Sequence, residues 1–220
     1  MKVLLTGATG MVGEGVLLEC LRNPAVTEVA VITRRPIGRQ APKLREIIVP
    51  DFNRMADFSA QLHPFDTCFF CAGVSSVGMD EASYIAVTHD TTLTVARVLL
   101  EVNPGMVFIY VSGKSTDSTA QGRVMWARVK GRTENDLMAL GFKAAYNFRP
   151  GLMLPTSGQT QLKTAYKLLI PLFKPFMARQ ALPLTQVGQA MVNAVRQGYP
   201  KPILEIDDIR HLAATGSGTV

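Results

Sequence analysis

Three glycines, at positions 7, 10 and 13, carry the clearest chemical consequence in this chain. They sit in Thr6-Gly7-Ala8-Thr9-Gly10-Met11-Val12-Gly13, and each answers a different demand. The first, lacking a Cβ, permits a tight turn at an unusual φ. The second lets the backbone approach a pyrophosphate, and the third lets a helix pack closely on a strand. A helix entered at Met11 and Val12 then offers free N–H groups and a partial positive charge to phosphates. The pattern becomes a dinucleotide-binding motif only between a strand and a helix, and the flanks supply both. Lys2-Val3-Leu4-Leu5-Thr6 is β-prone, and Val12, Val16, Leu17, Cys20 and Leu21 recur at helical spacing.

The elements that must position this loop follow one rhythm. Val29-Ala30-Val31-Ile32-Thr33 predicts a second strand and Glu46-Ile47-Ile48-Val49 a third. Thr67-Cys68-Phe69-Phe70-Cys71-Ala72 is an almost unbroken apolar run, as expected for a strand covered on both faces. Residues 83–102 predict one long helix, stopped by Asn103-Pro104-Gly105. A fifth strand at residues 106–111, a helix at 123–140 and a sixth strand at 144–148 follow, before Arg149-Pro150-Gly151. Thr185 is the expected N-cap of a helix reaching Arg196, with Gly198 as its stop. Strands separated by helical patterns imply an α/β fold of Rossmann type, a doubly wound parallel sheet with helices on both faces.

With 220 residues, 47% hydrophobic and 18% charged, the chain suits one globular domain. Residues 1–155 form the expected dinucleotide-binding core, and 156–220 a small C-terminal substrate or lid region packed on it. No run of about 18 apolar residues predicts a membrane-spanning helix. The first strand begins immediately after Met1 with no leader before it, which gives a cytoplasmic expectation. Cys68-Phe69-Phe70-Cys71 reads as a CxxC, but i and i+3 point to opposite faces of a strand. Burial is the better reading than a redox or metal pair, and His63, His89 and His211 have no metal-ligand spacing. A net charge of +6 favours anionic partners; the basic residues are dispersed, which argues against nucleic acid.

Four segments in this order resemble the short-chain dehydrogenase/reductase superfamily. The resemblance is to its small atypical members, kin to the NAD-dependent epimerase/dehydratase proteins and the Tat-interacting-protein branch. They are the glycine loop, Cys71-Ala72-Gly73, Lys130-Gly131 behind Val111-Ser112-Gly113-Lys114, and Arg149-Pro150-Gly151. The resemblance covers residues 1–155 well and the rest loosely. It implies that Cys71, Ala72 and Gly73 lie beside the cofactor, that Lys130 holds the nicotinamide ribose, and that Pro150 and Gly151 lie next to the nicotinamide. The serine that orients the substrate oxygen falls at Ser112 or on the mute Gly113, with Ser115 and Thr116 nearby.

One departure bears on activity. The family's Tyr-x-x-x-Lys is here Trp126-Ala127-Arg128-Val129-Lys130. An indole N–H donates a hydrogen bond but is no acid near neutral pH. Three readings of Trp126 stand open. The protein binds its cofactor as a sensor or regulator without turnover; or the acid comes from Tyr84, Tyr110 or water; or the register differs and the helix is structural.

The end of the second strand, Thr33-Arg34-Arg35, has no carboxylate to accept from an adenosine ribose 2′-OH. Arg34 and Arg35 instead present planar guanidinium groups suited to a 2′-phosphate, so NADP(H) is preferred over NAD. Asp51-Phe52 matches the adenine position, where Asp51 either accepts from the adenine amino group or caps a helix. Residues 162–179, rich in lysine and in Tyr166, Phe173 and Phe176, read as a lid over a small-molecule substrate, a protein-partner surface or a membrane-touching patch. The two long helices carry stripes that suit either the sheet or a homodimer.

Overall fold

The computed structural model describes residues 1–161 and 181–215. Its strands are β1 (Lys2–Thr6), β2 (Glu28–Thr33), β3 (Leu44–Ile48), β4 (Thr67–Phe70), β5 (Val107–Val111), β6 (Ala144–Phe148), β7 (Leu152–Leu154), β8 (Ala181–Pro183) and β9 (Ile203–Leu204). Seven of them form one parallel sheet in the order β3-β2-β1-β4-β5-β6-β9, while β7 and β8 make a separate parallel pair. The order reverses direction between β1 and β4. In an open sheet of this kind the crevice at that reversal, beyond the carboxyl ends of the strands, is where ligands bind.

Residue alternation decides which layer each strand serves. Val3, Leu5, Val29, Val31, Phe69, Ile109 and Phe148 face one apolar layer. That layer is completed by α1 (Met11–Arg22), α5 (Leu184–Gln197) and α6 (Ile206–Ala214). Leu4, Ala30, Ile32, Cys68, Phe70, Phe108 and Tyr110 face the other. There they meet a 3-10 segment (Phe52–Gln61), α3 (Thr91–Val102) and Leu137 of α4 (Met125–Ala139). The Cys68 and Cys71 side chains thus belong to opposite layers, as the strand reading required.

Two local expectations are corrected. The helix expected over residues 83–102 is divided into α2 (Glu81–Ile85), a wider π turn (Ala86–Asp90) and α3. The hydroxyls of Thr91 and Thr92 donate to the carbonyls of Ala86 and Thr88, competing with the regular helical pattern. The cap of α5 is Pro183 rather than Thr185, while Gly198 ends that helix at φ +73°. Beyond residue 180 the chain does not form a separate body: β9 pairs with β6 and α5 packs against α1. The segment read as a lid or partner surface, residues 162–179, lies outside the described residues.

The α1–α5 crossing depends on missing side chains. A Cβ at Gly15 would lie 2.7 Å from Leu184 Cβ, and one at Gly188 would lie 2.7 Å from Glu19 Cβ. Gly15→Val should therefore cost about 1–3 kcal/mol by overpacking. In a chain of this size that lowers the thermal midpoint by about 3–10 °C. A calorimetric melt unchanged to within a degree would show that the helices can separate freely.

Candidate cofactor site

The glycine loop closes by steric necessity. Gly7 has φ +77°, and a Cβ there would lie 2.6 Å from the backbone of Cys71 and Ala72. A Cβ at Gly13 would lie 2.2 Å from the Gly7 carbonyl oxygen. Gly10 is less constrained by the protein itself: its nearest obstruction would be at 3.4 Å. Its N–H donates to the Gly7 carbonyl at 2.9 Å, and it caps α1 without a side chain. The first-turn N–H groups around Met11, Val12 and Gly13 are thereby left for an anionic ligand.

This loop opens into a groove of 480 Å³ at the sheet reversal. Thr9, Arg34, Asp51, Phe52 and the run Cys71-Ala72-Gly73 all line it. Ala72 is held by its N–H donating to Thr6 Oγ1 at 3.1 Å. Asp51 takes the capping role: its Oδ1 accepts from Asn53 N at 2.9 Å at the start of the 3-10 segment, and the residue also lines the groove. Arg35 departs from expectation. Like Arg34 it is exposed, but it does not line the groove, and its carbonyl accepts from Thr33 Oγ1 at 2.8 Å. Burial pushes the Cys71 thiol up to about 12, which leaves it inert.

The remaining expected site residues gather at the carboxyl ends of β5 and β6, outside the lining of the groove. Lys130 is half-buried on α4, and its Nζ donates to Ser112 O at 3.1 Å and Val111 O at 3.4 Å. The same ammonium stands 5.5 Å from the Tyr110 ring centroid. Burial pulls its pKa down to about 8, with the Glu134 carboxylate acting in the opposite sense. The adjoining glycine is structural: a Cβ at Gly131 would lie 1.7 Å from Asp117 O. Trp126 is half-buried one helical turn before Lys130.

Ser112 and the Arg149-Pro150-Gly151 segment are partly committed elsewhere. The Ser112 hydroxyl donates to Glu134 Oε1 and to Phe148 O. Glu134, wholly buried, pairs with Arg149, which also donates to Ser118 Oγ at 2.6 Å and Glu205 Oε1 at 3.2 Å. Pro150 accepts from Lys114 N at 2.9 Å, and neither Pro150 nor Gly151 lines the groove. Tyr84 and Tyr110, the alternative acids, are each 1% exposed, and burial raises both pKa values. They cannot exchange protons with a ligand near neutral pH.

Glu14 and Arg39 were not singled out from the sequence. Glu14 follows the third glycine, where a carboxylate reads as a simple complement to the helix dipole. It is in fact 2% exposed and accepts from Thr160 N, Thr160 Oγ1 and Gln161 N, as well as from Arg39. Partners that far along the chain leave no local signal.

Comparison with known proteins agrees with this fold. The sequence profile of the NAD dependent epimerase/dehydratase family matches residues 3–122. "Protein fmp52, mitochondrial" of Emericella nidulans is 32% identical over 159 residues, covering 69% of this chain and 66% of its own length. Its counterpart from Aspergillus fumigatus is 33% identical over 167 residues, covering 73% and 68%. The chain thus spans about two thirds of these relatives' lengths. Among solved structures, "MoeE5 in complex with UDP-glucuronic acid and NAD" superposes with a TM-score of 0.69 at 17% identity, covering 99% of this chain and 83% of its own. The chain belongs to the NAD-dependent epimerase/dehydratase family, a group of nicotinamide-dinucleotide-dependent Rossmann proteins.

The relatives' mitochondrial names overturn the cytoplasmic expectation. That expectation rested on the strand-like run close to Met1, and the position of a strand does not define a compartment. Among the described residues no helix is long and apolar enough to cross a membrane.

The buried ammonium predicts a pH signature. Folding lowers the Lys130 pKa from 10.5 to about 8, so between these values the unfolded chain binds more protons and stability rises with pH. The unfolding free energy of wild type minus that of Lys130→Met, measured by urea denaturation, should therefore become more positive from pH 8 to 10.5. A flat difference would mean that the ammonium is well solvated.

Proposed function

We propose that the protein is an NADP(H)-preferring oxidoreductase or epimerase-like enzyme acting on a small substrate. The observation that carries the phosphate preference is Arg34 on the wall of the groove, at a strand end with no carboxylate in Thr33-Arg34-Arg35. A guanidinium there attracts a 2′-phosphate, whereas a ribose 2′-OH calls for an acceptor. The solved neighbour in complex with NAD supports the dinucleotide, not the phosphate.

The residues present fit such a cofactor. Gly7 and Gly13 form a cradle that a Cβ would fill, and α1 begins without a side-chain cap. Gly10 leaves room for a pyrophosphate, with Met11, Val12 and Thr9 around it. Asp51 and Phe52 border the adenine end, and Cys71, Ala72 and Gly73 form the floor. When bound, the nicotinamide supplies hydride transfer. Lys130 has three N–H donors and spends two on carbonyls, which leaves one for a ribose hydroxyl. Ser112 can still accept from a substrate group while its proton is held inside. Pro150 and Gly151 shape the backbone beside that end.

Trp126 cannot supply the proton that accompanies hydride transfer, and Tyr84 and Tyr110 are withdrawn into the core. The proton then falls to Lys130, whose third N–H would deliver it by way of the ribose hydroxyl it holds or a water: the hydroxyl or water gives its proton to the substrate and takes one from the ammonium. At neutral pH it is charged, and with a pKa of about 8 it is a better donor than an ordinary lysine. The second reading, a cofactor-binding sensor without turnover, is favoured by Trp126 alone.

Calorimetric titration tests the cofactor. NADPH should bind at least tenfold tighter than NADH, and Arg34→Ala should remove most of that margin, since a charge-assisted contact is worth about that factor. Equal affinities in the wild type would overturn the phosphate reading. For turnover, NADPH oxidation with a panel of aldehydes, ketones and quinones should fall as pH rises through about 8 and drop by about 10²-fold in Lys130→Met. No turnover by wild type or by Trp126→Tyr selects the sensor.

A further inference from the structure

A second cavity adjoins the cofactor groove at the glycine loop. It measures 310 Å³, shares Ala8 and Thr9 with the groove, and is otherwise walled in part by Glu14, Arg39, Gln40 and Thr160. It exists because the connection between β2 and β3 folds back over α1. The Thr33 hydroxyl donates to Arg35 O at 2.8 Å, Ile37 N donates to Glu46 Oε1 at 3.2 Å, and Gly38 takes φ +70°. These contacts turn the chain so that Arg39 Nη2 lies 3.3 Å from Glu14 Oε1 and donates to Gly158 O at 3.2 Å.

Two features of this cavity suit it to a phosphate. The first is the state of Glu14. Burial opposes its charge, but the amides of Thr160 and Gln161, the Thr160 hydroxyl and Arg39 outweigh that and lower its pKa. Its negative charge is thus already met by donors from the strap at residues 156–161. The second is the state of Arg39. Both of its hydrogen bonds run through Nη2, so Nε and Nη1 have no partner among the described residues. With Thr9 and the Gln40 amide on the same wall, the lining is rich in unspent donors.

Resting on the NADP(H) reading above, we infer that this cavity receives the cofactor's 2′-phosphate, and that Arg39 rather than Arg35 is the second guanidinium setting the preference. Arg34 lines the groove, Arg39 lines the cavity, and Thr9 belongs to both. A 2′-phosphate held beside Thr9 would have Arg34 on its groove side and Arg39 on its cavity side. The phosphate then becomes a partner of Arg39 in place of Glu14, while Glu14 keeps its three strap donors. Arg35 lines neither space.

Titration of NADPH and NADH into wild type, Arg39→Ala and Arg39→Lys decides the matter. Arg39→Ala should weaken NADPH about tenfold and NADH less than twofold. Arg39→Lys keeps a charge for Glu14 and for folding but loses the planar fork, so it should weaken NADPH by an intermediate factor. Retained NADH binding reports an intact groove in each variant. Unchanged NADPH affinity in both variants, or equal losses for the two cofactors, overturns the role of Arg39 while a wild-type NADPH preference leaves the NADP(H) reading standing. Equal wild-type affinities for NADPH and NADH overturn both.

Discussion

The approach of α1 to the end of β1 is the constraint on which the site depends. With only 2.2 Å between a Cβ at Gly13 and the Gly7 carbonyl, any side chain at position 13 drives the helix off the strand. At Gly7 the limit comes from the Cys71–Ala72 backbone, so the loop is wedged between its own helix and the neighbouring strand end. The same close approach aims the helix N-terminus at the crevice where the sheet reverses direction. The room left for an anion and the strand–helix packing are therefore one geometric fact, not two.

A buried ion pair performs the corresponding task at the carboxyl ends of β5 and β6. Glu134 on α4 and Arg149 after β6 are both buried, and Glu205 and Ser118 share the guanidinium. Burying such charges is costly unless every donor and acceptor is met. Here the pairing ties α4, β6, the residue-118 turn and the start of α6 into one unit. Lys130 lies one turn before Glu134 on the same helix, so the pair sets where its ammonium stands. Its partners are then the Val111 and Ser112 carbonyls, and its solvation is low enough to shift its pKa.

Between these two places the charges divide the work. Glu14 binds a late segment of the chain onto the phosphate-binding helix, and Arg39 brings the β2–β3 connection to the same carboxylate. Segments more than a hundred residues apart in sequence thus meet beside the glycine loop. A second cavity arises there as a by-product of that closure. Position 126 carries the opposite lesson: the helix, the spacing and the lysine persist while the acidic hydroxyl of the family pattern is gone.

Much of this protein was legible in its residues. The glycine spacing after a β-prone run, the strand–helix alternation and the two-sided apolar strands were enough to assign the parallel sheet, because each follows from short-range sterics and a local period. The places of Arg34, Asp51 and Ala72 followed from that register. What no local pattern contained was long-range pairing. Arg34 and Arg35 look alike in sequence, yet the loop turns one to the groove and leaves the other outside. Ser112 looks free until Glu134 and Phe148 take its proton, and Glu14 looks like a surface helix charge until Thr160 and Gln161 reach it. Periodicity reports which face of an element is apolar; which polar groups that face will meet is decided only when distant segments close on one another, since hydrogen bonds and ion pairs act over a few ångströms of space and not along the chain.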